Sequence, residues 1–286
     1  MSQLIFNGIV TGSLYALAAL GLVLIFKTSD IVNFAQGEMA MFFTFIAFTL
    51  LSRSMPYFVA FILTLIFAGV MGFIIQRTII RPLGSALISA MIATLGLIMI
   101  VNGLAGNIFG FDVTAFPKMI NAENVKIGSV TVDLNSLIVI IITIAIMMAL
   151  FYYFKYTMSG LALRAAAQDP KAAKLMGISV ERVITLTWII SAMLAGITGI
   201  LVAPTTNLSV GMMADVHLKS FCAAVLGGFN SFIGPLVGGL VLGVSENLFG
   251  KFVSISWKSV FTFALIIVML VIKPNGLVGT KVRKKV

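Results

Sequence analysis

The sequence reads as an all-α protein, a polytopic transmembrane helix bundle. It allows about seven crossings plus a re-entrant helical hairpin, or eight if that hairpin spans. Two observations carry this reading. Hydrophobic residues make up 60% of the 286-residue chain and charged residues 10%, with a mean hydropathy of +1.14. A water-facing surface of that composition could not stay in solution. The apolar residues also come in runs close to the roughly 20 that cross a bilayer, and most charges are gathered between the runs.

The first run is Leu4–Phe26. No basic stretch precedes it and no small-residue cleavage site follows, so it reads as a retained helix and not a removed signal peptide. The next five are Phe34–Leu51, Tyr57–Ile75, Leu87–Phe109, Leu134–Phe154 and Val183–Ala203; Ser259–Ile272 is the last. Between the last two lies Phe221–Phe249, apolar but interrupted by Gly227, Gly228, Gly234 and Pro235. The pairs Gly8–Gly12, Gly106–Gly110, Gly234–Gly238 and Gly239–Gly243 have the small-residue spacing that lets helices pack closely.

Charge then orients the runs. The chain carries a net charge of +10. Its Lys and Arg residues sit at helix ends, where they fix membrane orientation, so the surplus argues for no nucleic-acid partner. The tail has Lys273, Lys281, Arg283, Lys284 and Lys285 and no acid. The segment 155–182 has Lys155, Arg164, Lys171, Lys174 and Arg182 against Asp169 and Glu181, and Arg77 and Arg81 mark a third basic turn. Gly110–Asp133 balances Lys118 and Lys126 against Asp112, Glu123 and Asp133. Basic loops stay in the cytoplasm. The first three regions are therefore inside with the C-terminus, and Gly110–Asp133 and the N-terminus are outside. Counting forward, Lys219–Phe249 must enter and leave by the outer face, as a hairpin turning at Gly227-Gly228-Phe229-Asn230. Backbone at membrane depth is tolerated only inside protein or along a wet cavity, so Gly227, Gly228 and Asn230 become candidates for a translocation path. Lys251 and Lys258 on the outer side run against this placement. The chain reads as a single transmembrane domain, 1–286, with a cytoplasmic loop at 155–182.

Within that loop, Asp169 is an N-cap, Pro170 occupies the first helical position and Gly177 suits a left-handed C-cap. The helix between is about seven residues, too short to be stable alone in water. Ala172, Leu175 and Met176 share one face and Lys171 and Lys174 another, so something must cover the apolar side. A cytoplasmic protein docking there is one reading; packing on this chain itself or on lipid headgroups is the other.

Polar residues inside apolar runs are costly, and so informative. Asn33, Gln36 and Glu38 cluster at the mouth of the second run, with Gly37 available for a break. A broken helix can offer amides and carbonyls to a zwitterion; an ordinary interfacial cap would look the same. Asn102 and Glu246 are weaker candidates for the same path. Several classes are absent. The single Cys222 excludes an internal disulfide and the single His217 a clustered zinc site. No phosphate-binding Gly-Lys-Ser/Thr loop is present, so any ATP and Mg would be used by other subunits, and this chain binds no cofactor. An ion-driven carrier needs carboxylates deep in the membrane, and only Glu38 and Glu246 come near, both at segment ends. No catalytic constellation appears, so the chain reads as a pore subunit and not an enzyme.

Taken together, Gly160-Leu-Ala-Leu-Arg164-Ala-Ala-Ala-Gln-Asp169-Pro170-Lys-Ala-Ala173-Lys-Leu175-Met176-Gly177-Ile178, Asn33-Phe-Ala-Gln-Gly37-Glu38-Met39, Val225-Leu-Gly-Gly-Phe-Asn-Ser231 with Gly234 and Glu246, and Pro274-Asn-Gly276-Leu277-Val-Gly279 resemble the permeases of branched-chain amino acid ABC importers, in their H-type subunit. The resemblance covers nearly the whole chain. Lys273 departs from it where an Arg would precede the Pro, and sugar permeases of the same superfamily share parts of the pattern. The resemblance implies one half of a pore in the bacterial inner membrane. It implies pairing with a second homologous permease, two cytoplasmic ATPases for the pair, coupled to this chain through its 160–177 segment, and an extracytoplasmic substrate-binding protein. Leucine, isoleucine and valine are the implied substrates. The alternative from another class is a passive channel or ion-coupled carrier for a small polar solute.

Overall fold

A computed structural model describes residues 1–84, 86–120, 125–127 and 130–279. Glu123 and the tail residues Lys281, Arg283, Lys284 and Lys285, used above to orient the chain, lie outside the described residues, as does the side chain of Lys126. The elements are α1 (Ser2–Ser29), α2 (Gln36–Ser52), α3 (Tyr57–Ile75), α4 (Leu87–Phe109), a short antiparallel β1 (Val125–Ile127) and β2 (Val130–Val132), α5 (Leu134–Tyr156), α6 (Met158–Gln168), α7 (Pro170–Leu175), α8 (Val180–Thr206), α9 (Ala214–Gly227), α10 (Gly234–Phe252) and α11 (Lys258–Ile272). The protein is thus a polytopic all-α membrane protein. The seven apolar runs all appear as helices. The interrupted stretch does not form one spanning segment: it is two helices, α9 and α10, broken at residues 228–233. The paired strands β1 and β2 are absent from the sequence reading, although Val125-Lys-Ile and Val130-Thr-Val place β-branched residues on either side of Gly128-Ser129, which is the signal that could have marked them.

The chain divides into two compact units. The first comprises Met1–Val23, Ile120–Met147 and Val216–Val286; the second comprises Leu24–Met119 and Met148–Asp215.

In the first unit, α1 crosses α10 glycine on glycine. A Cβ on Gly8 would lie 2.7 Å from the Val244 backbone, and one on Gly12 would lie 2.7 Å from the Gly239 carbonyl. These are two of the predicted small-residue pairs, and their missing side chains let the backbones touch. The arms α9 and α10 pack antiparallel, with Gly238 against Ala223 and Gly227 against Gly234. Phe249 of α10 stacks on Phe261 of α11 at 4.3 Å. After α11 the chain folds back over the tip of the hairpin: the Leu277 amide donates to the Leu226 carbonyl at 2.8 Å and the Val278 amide to Gly227 at 3.1 Å. Those carbonyls close α9 and would otherwise be orphaned. At the other end of the unit, Gln3 exchanges two hydrogen bonds with the Thr131 backbone.

In the second unit, α8 is the central helix, buried along most of its length. It packs on α3 where Gly72 meets the Trp188 carbonyl, and on α2 where Gly199 meets Ala40 and Thr44. Those glycines are not spaced as a four-residue repeat, so the sequence did not mark them. Gly106 and Gly110, which are, make no helix crossing: Gly106 seats the Phe111 ring, and Gly110, at φ +84°, ends α4. The outer faces of α3, α4, α5 and α11 expose Phe58, Met99, Ile141 and Val271, each more than half accessible, as helices bathed in lipid can.

Candidate functional site

The 155–182 segment folds as two short helices. Thr157 starts α6, its hydroxyl accepting from the Gly160 amide at 3.0 Å. Gly160 is buried because the helix turns directly on the Tyr153 and Phe154 backbone, leaving no room for a Cβ. Arg164 reaches back to the Lys155 carbonyl at 3.2 Å. Asp169 then caps α7: its Oδ1 accepts from Lys171 N at 2.9 Å and Ala172 N at 3.0 Å, with Pro170 at the first position. At the other end, Gly177 N donates to Lys174 O and Ile178 N to Ala173 O, both at 3.0 Å, with Gly177 at φ +80°. That is a Schellman closure, and it requires a residue free to adopt left-handed backbone. Six residues capped at both ends form a stiff stub. Ala173 is its buried contact, while Leu175 is 89% and Met176 81% exposed. These are two large apolar side chains exposed on adjacent positions at the end of the stub. The helix α6 was not separated from its surroundings in the sequence; Thr157 before an amphipathic run was the signal that could have marked it.

The predicted path residues fall into three places. Asn33 and Gln36 lie at the break between α1 and α2, in the second unit, and both are buried. Asn33 Oδ1 accepts from Ala35 N, and its Nδ2 donates to Gln36 Oε1, each at 3.1 Å. Gln36 Nε2 donates to the Ser191 carbonyl at 3.0 Å while Ser191 Oγ donates to Gln36 Oε1 at 3.0 Å. Their side chains tie the break to α8. Thr94 of α4 adds a hydrogen bond from Phe34 N. Gly37 is buried beside them, and half-buried Glu38 in the first turn of α2 accepts from Asn102 of α4. The other polar atom of Asn102, its Oδ1, has no hydrogen-bond partner among the described residues. Glu38 and Asn102 are the members of this group with bonding capacity in reserve.

In the first unit, Gly227 and Gly228 form the hairpin tip, Gly228 at φ +102° under the Asn275 and Gly279 backbone, with Asn230 exposed beyond them. Glu246 lies far from the tip, within α10 and not at a segment end. Only 2% of it is accessible. Lys219 Nζ of α9 donates to its Oε1 at 2.6 Å, the Tyr15 hydroxyl of α1 to its Oε2 at 3.1 Å, and Lys258 Nζ stands 3.9 Å away. Sequence reasoning named the acid and missed these partners, although a carboxylate in an apolar run demands one.

The arrangement offers a stiff stub with exposed apolar side chains at its end, followed by a helix that reaches the polar break. The family model described as the permease component of branched-chain amino acid transport systems matches residues 4–270. The high-affinity branched-chain amino acid transport system permease protein LivH of Salmonella typhimurium is 33% identical over 302 residues, spanning 99% of this chain and 97% of the relative. The corresponding BraD of Pseudomonas aeruginosa is 31% identical over 301 residues, with the same coverage. The fructose import permease protein FruG of Bifidobacterium longum is 23% identical over 262 residues, 85% of this chain and 74% of its own. A family model over residues 4–270 and relatives more than 30% identical across 99% of the chain make it a member of the branched-chain amino acid transport system permease family.

Proposed function

We propose that this chain forms one half of the translocation pore of an ATP-driven importer for branched-chain or related hydrophobic amino acids. It stands in the cytoplasmic membrane with its C-terminus inside, beside a second homologous permease. Two cytoplasmic ATPases serve the pair, one of them docking on α7 of this chain, and an extracytoplasmic binding protein delivers the substrate. The observation that carries this reading is the doubly capped α7 with Leu175 and Met176 uncovered, in a chain alike in full to amino-acid permeases. Hydrolysis of ATP and use of Mg belong to the partner subunits.

The push has a short mechanical route. The short turn after α7 leads into α8, whose first residues grip the end of α3: Glu181 pairs with Arg81 at 2.7 Å, and Thr185 donates to Gln76 at 2.9 Å. Further along the same helix Ser191 holds Gln36 at the α1–α2 break. Val180 and Ser191 belong to one continuous helix that rises about 1.5 Å per residue, so tilting α8 by its α7 end loads the break where Glu38 and Asn102 face one another. These two polar groups, with Gly37, form the substrate path in this reading. The path needs to be wet and weakly binding, since tight binding would slow release.

The test is the double substitution Leu175→Asp, Met176→Asp. It leaves the bundle folded, because both side chains are exposed, and it should abolish uptake in vesicles while the isolated ATPases still hydrolyse ATP. Uptake at the wild-type rate by the double variant would refute the docking role. An ATPase that never co-purifies with the wild-type chain would favour a passive channel instead.

A further inference from the structure

Three irregular pieces of backbone in the second unit converge on one cavity of about 450 Å³. The first is Asp30, just past α1, at φ +55°, a left-handed conformation that Asp and Asn tolerate best among residues with a side chain. The second is a π turn, Gln76–Ile80, which continues α3 with Arg81 N bonded to Gln76 O. Such turns are rare and concentrate at functional sites. The third is Gly84, at φ +58°. The remaining walls are α7, which contributes Pro170 and Lys174, and the start of α8.

The chemistry of the lining is specific. One side is aliphatic: Ile31, Ile80, Val180 and Ile184. The rest carries both signs of charge. Arg81 and Glu181 neutralise one another across 2.7 Å. That leaves the Asp30 carboxylate and the Lys174 ammonium, and among the described residues neither has an ion-pair or hydrogen-bond partner. A pocket of a few hundred cubic ångströms, apolar over much of its wall with a few polar groups, is the usual form of a small-molecule site. An unpaired anion and an unpaired cation above a branched aliphatic wall fit one class of ligand: a free α-amino acid with an aliphatic side chain, its ammonium on Asp30 and its carboxylate on Lys174. A neutral sugar would leave both charges unmatched, and a free anion would meet Asp30.

We propose that this cavity is a binding site for aliphatic α-amino acids, separate from the Glu38–Asn102 group and opening on the same face as α7. Its cytoplasmic position rests on the functional reading above; its ligand class rests on the lining. Occupancy would join the end of α1 to the docking helix through one ligand, so that amino acid already inside the cell would engage the element on which the ATPases act.

The experiment uses the purified permease–ATPase complex without binding protein, and radiolabelled L-leucine as probe. Saturable binding is expected, with N-acetyl-L-leucine and L-leucinol, each lacking one charge, unable to compete. Asp30→Asn keeps the left-handed backbone and should weaken binding roughly tenfold or more, as loss of a charge-assisted hydrogen bond does. Leu87→Trp, at a half-exposed lining position, should fill the cavity and abolish binding. Absence of saturable binding to the wild type, or binding that neither substitution changes, overturns the proposal. Leucine uptake, measured after the same complexes are reconstituted in vesicles with the binding protein and ATP supplied, separates the two ideas: uptake without binding at this cavity sinks the inference alone, and binding without uptake sinks the importer reading alone.

Discussion

Removing the Glu246 carboxylate would leave the Lys219 ammonium buried without its anion. Breaking a buried pair from one side costs far more than the pair itself contributes, about 3–5 kcal/mol. Glu246→Gln should therefore lower the melting temperature of the detergent-solubilised protein sharply. Adding Lys219→Met should recover a substantial part of the loss, because both charges are then gone. If Glu246→Gln melts like the wild type, the pair is not closed as described. At this scale the sequence was half legible. A carboxylate in an apolar run announces itself, and so do Asn33 and Gln36, because lipid makes every unpaired polar group conspicuous. The partner does not announce itself, since Lys219 sits on another helix and no local spacing records the contact. The same limit separates Gln36 from Glu38. Both are polar residues in one turn, yet Gln36 is occupied by Ser191 and Glu38 retains capacity, a difference decided by α8 and α4.

The helix α7 and the hairpin tip are both ended by glycine, but only α7 could be read in full beforehand. Its caps are local: Asp169, Pro170 and Gly177 satisfy amides and carbonyls within the same short stretch. The tip was legible as a break, through Gly227-Gly228 and Gly234-Pro235, but its closure comes from residues beyond α11. The motif Pro274-Asn-Gly276-Leu277-Val-Gly279, read at first only as part of a resemblance, has a physical task. Gly276 and Gly279 let the chain approach Gly228 and Asn275 closely, and Leu277 and Val278 donate to the last carbonyls of α9. Leu277→Pro removes one of those donors and leaves a carbonyl unsatisfied, a cost of about 1–3 kcal/mol. Leu277→Ala keeps the amide and loses only side-chain contact. The proline variant should melt clearly below the alanine variant; equal melting would mean that the backbone bond does not hold the tip.

Across the whole chain, contacts between loops sort the helix ends into faces, and the sorting bears on how deep the hairpin reaches. In the first unit α1 and α10 run antiparallel, as the pairs Gly8–Val244 and Gly12–Gly239 require, so the start of α1 and the end of α10 share one face. Gln3 brings Thr131 to that face. The tip at residues 228–233 and the stretch after α11 share the opposite face. In the second unit the Arg81–Glu181 pair joins the end of α3 to the start of α8, and Thr114 bridges Leu208 at the other ends of α4 and α8. Every one of these pairings agrees with the alternation derived from charge. They also sharpen it. The tip does not turn back midway: it lies level with the end of α11, and α10 alone, at 19 residues, extends about 28 Å, close to the hydrocarbon thickness. The hairpin therefore enters from the face that carries the N-terminus and reaches the face that carries the C-terminus. In a Cys222→Ser background, single cysteines at Asp215 and Lys251 should react with an impermeant maleimide added to intact cells, and a cysteine at Asn230 only after the membrane is opened. Labelling of Asn230 from outside would place the tip in a shallow outer vestibule and break the link with the tail. Protection of Lys251 in intact cells would reverse the direction of α11.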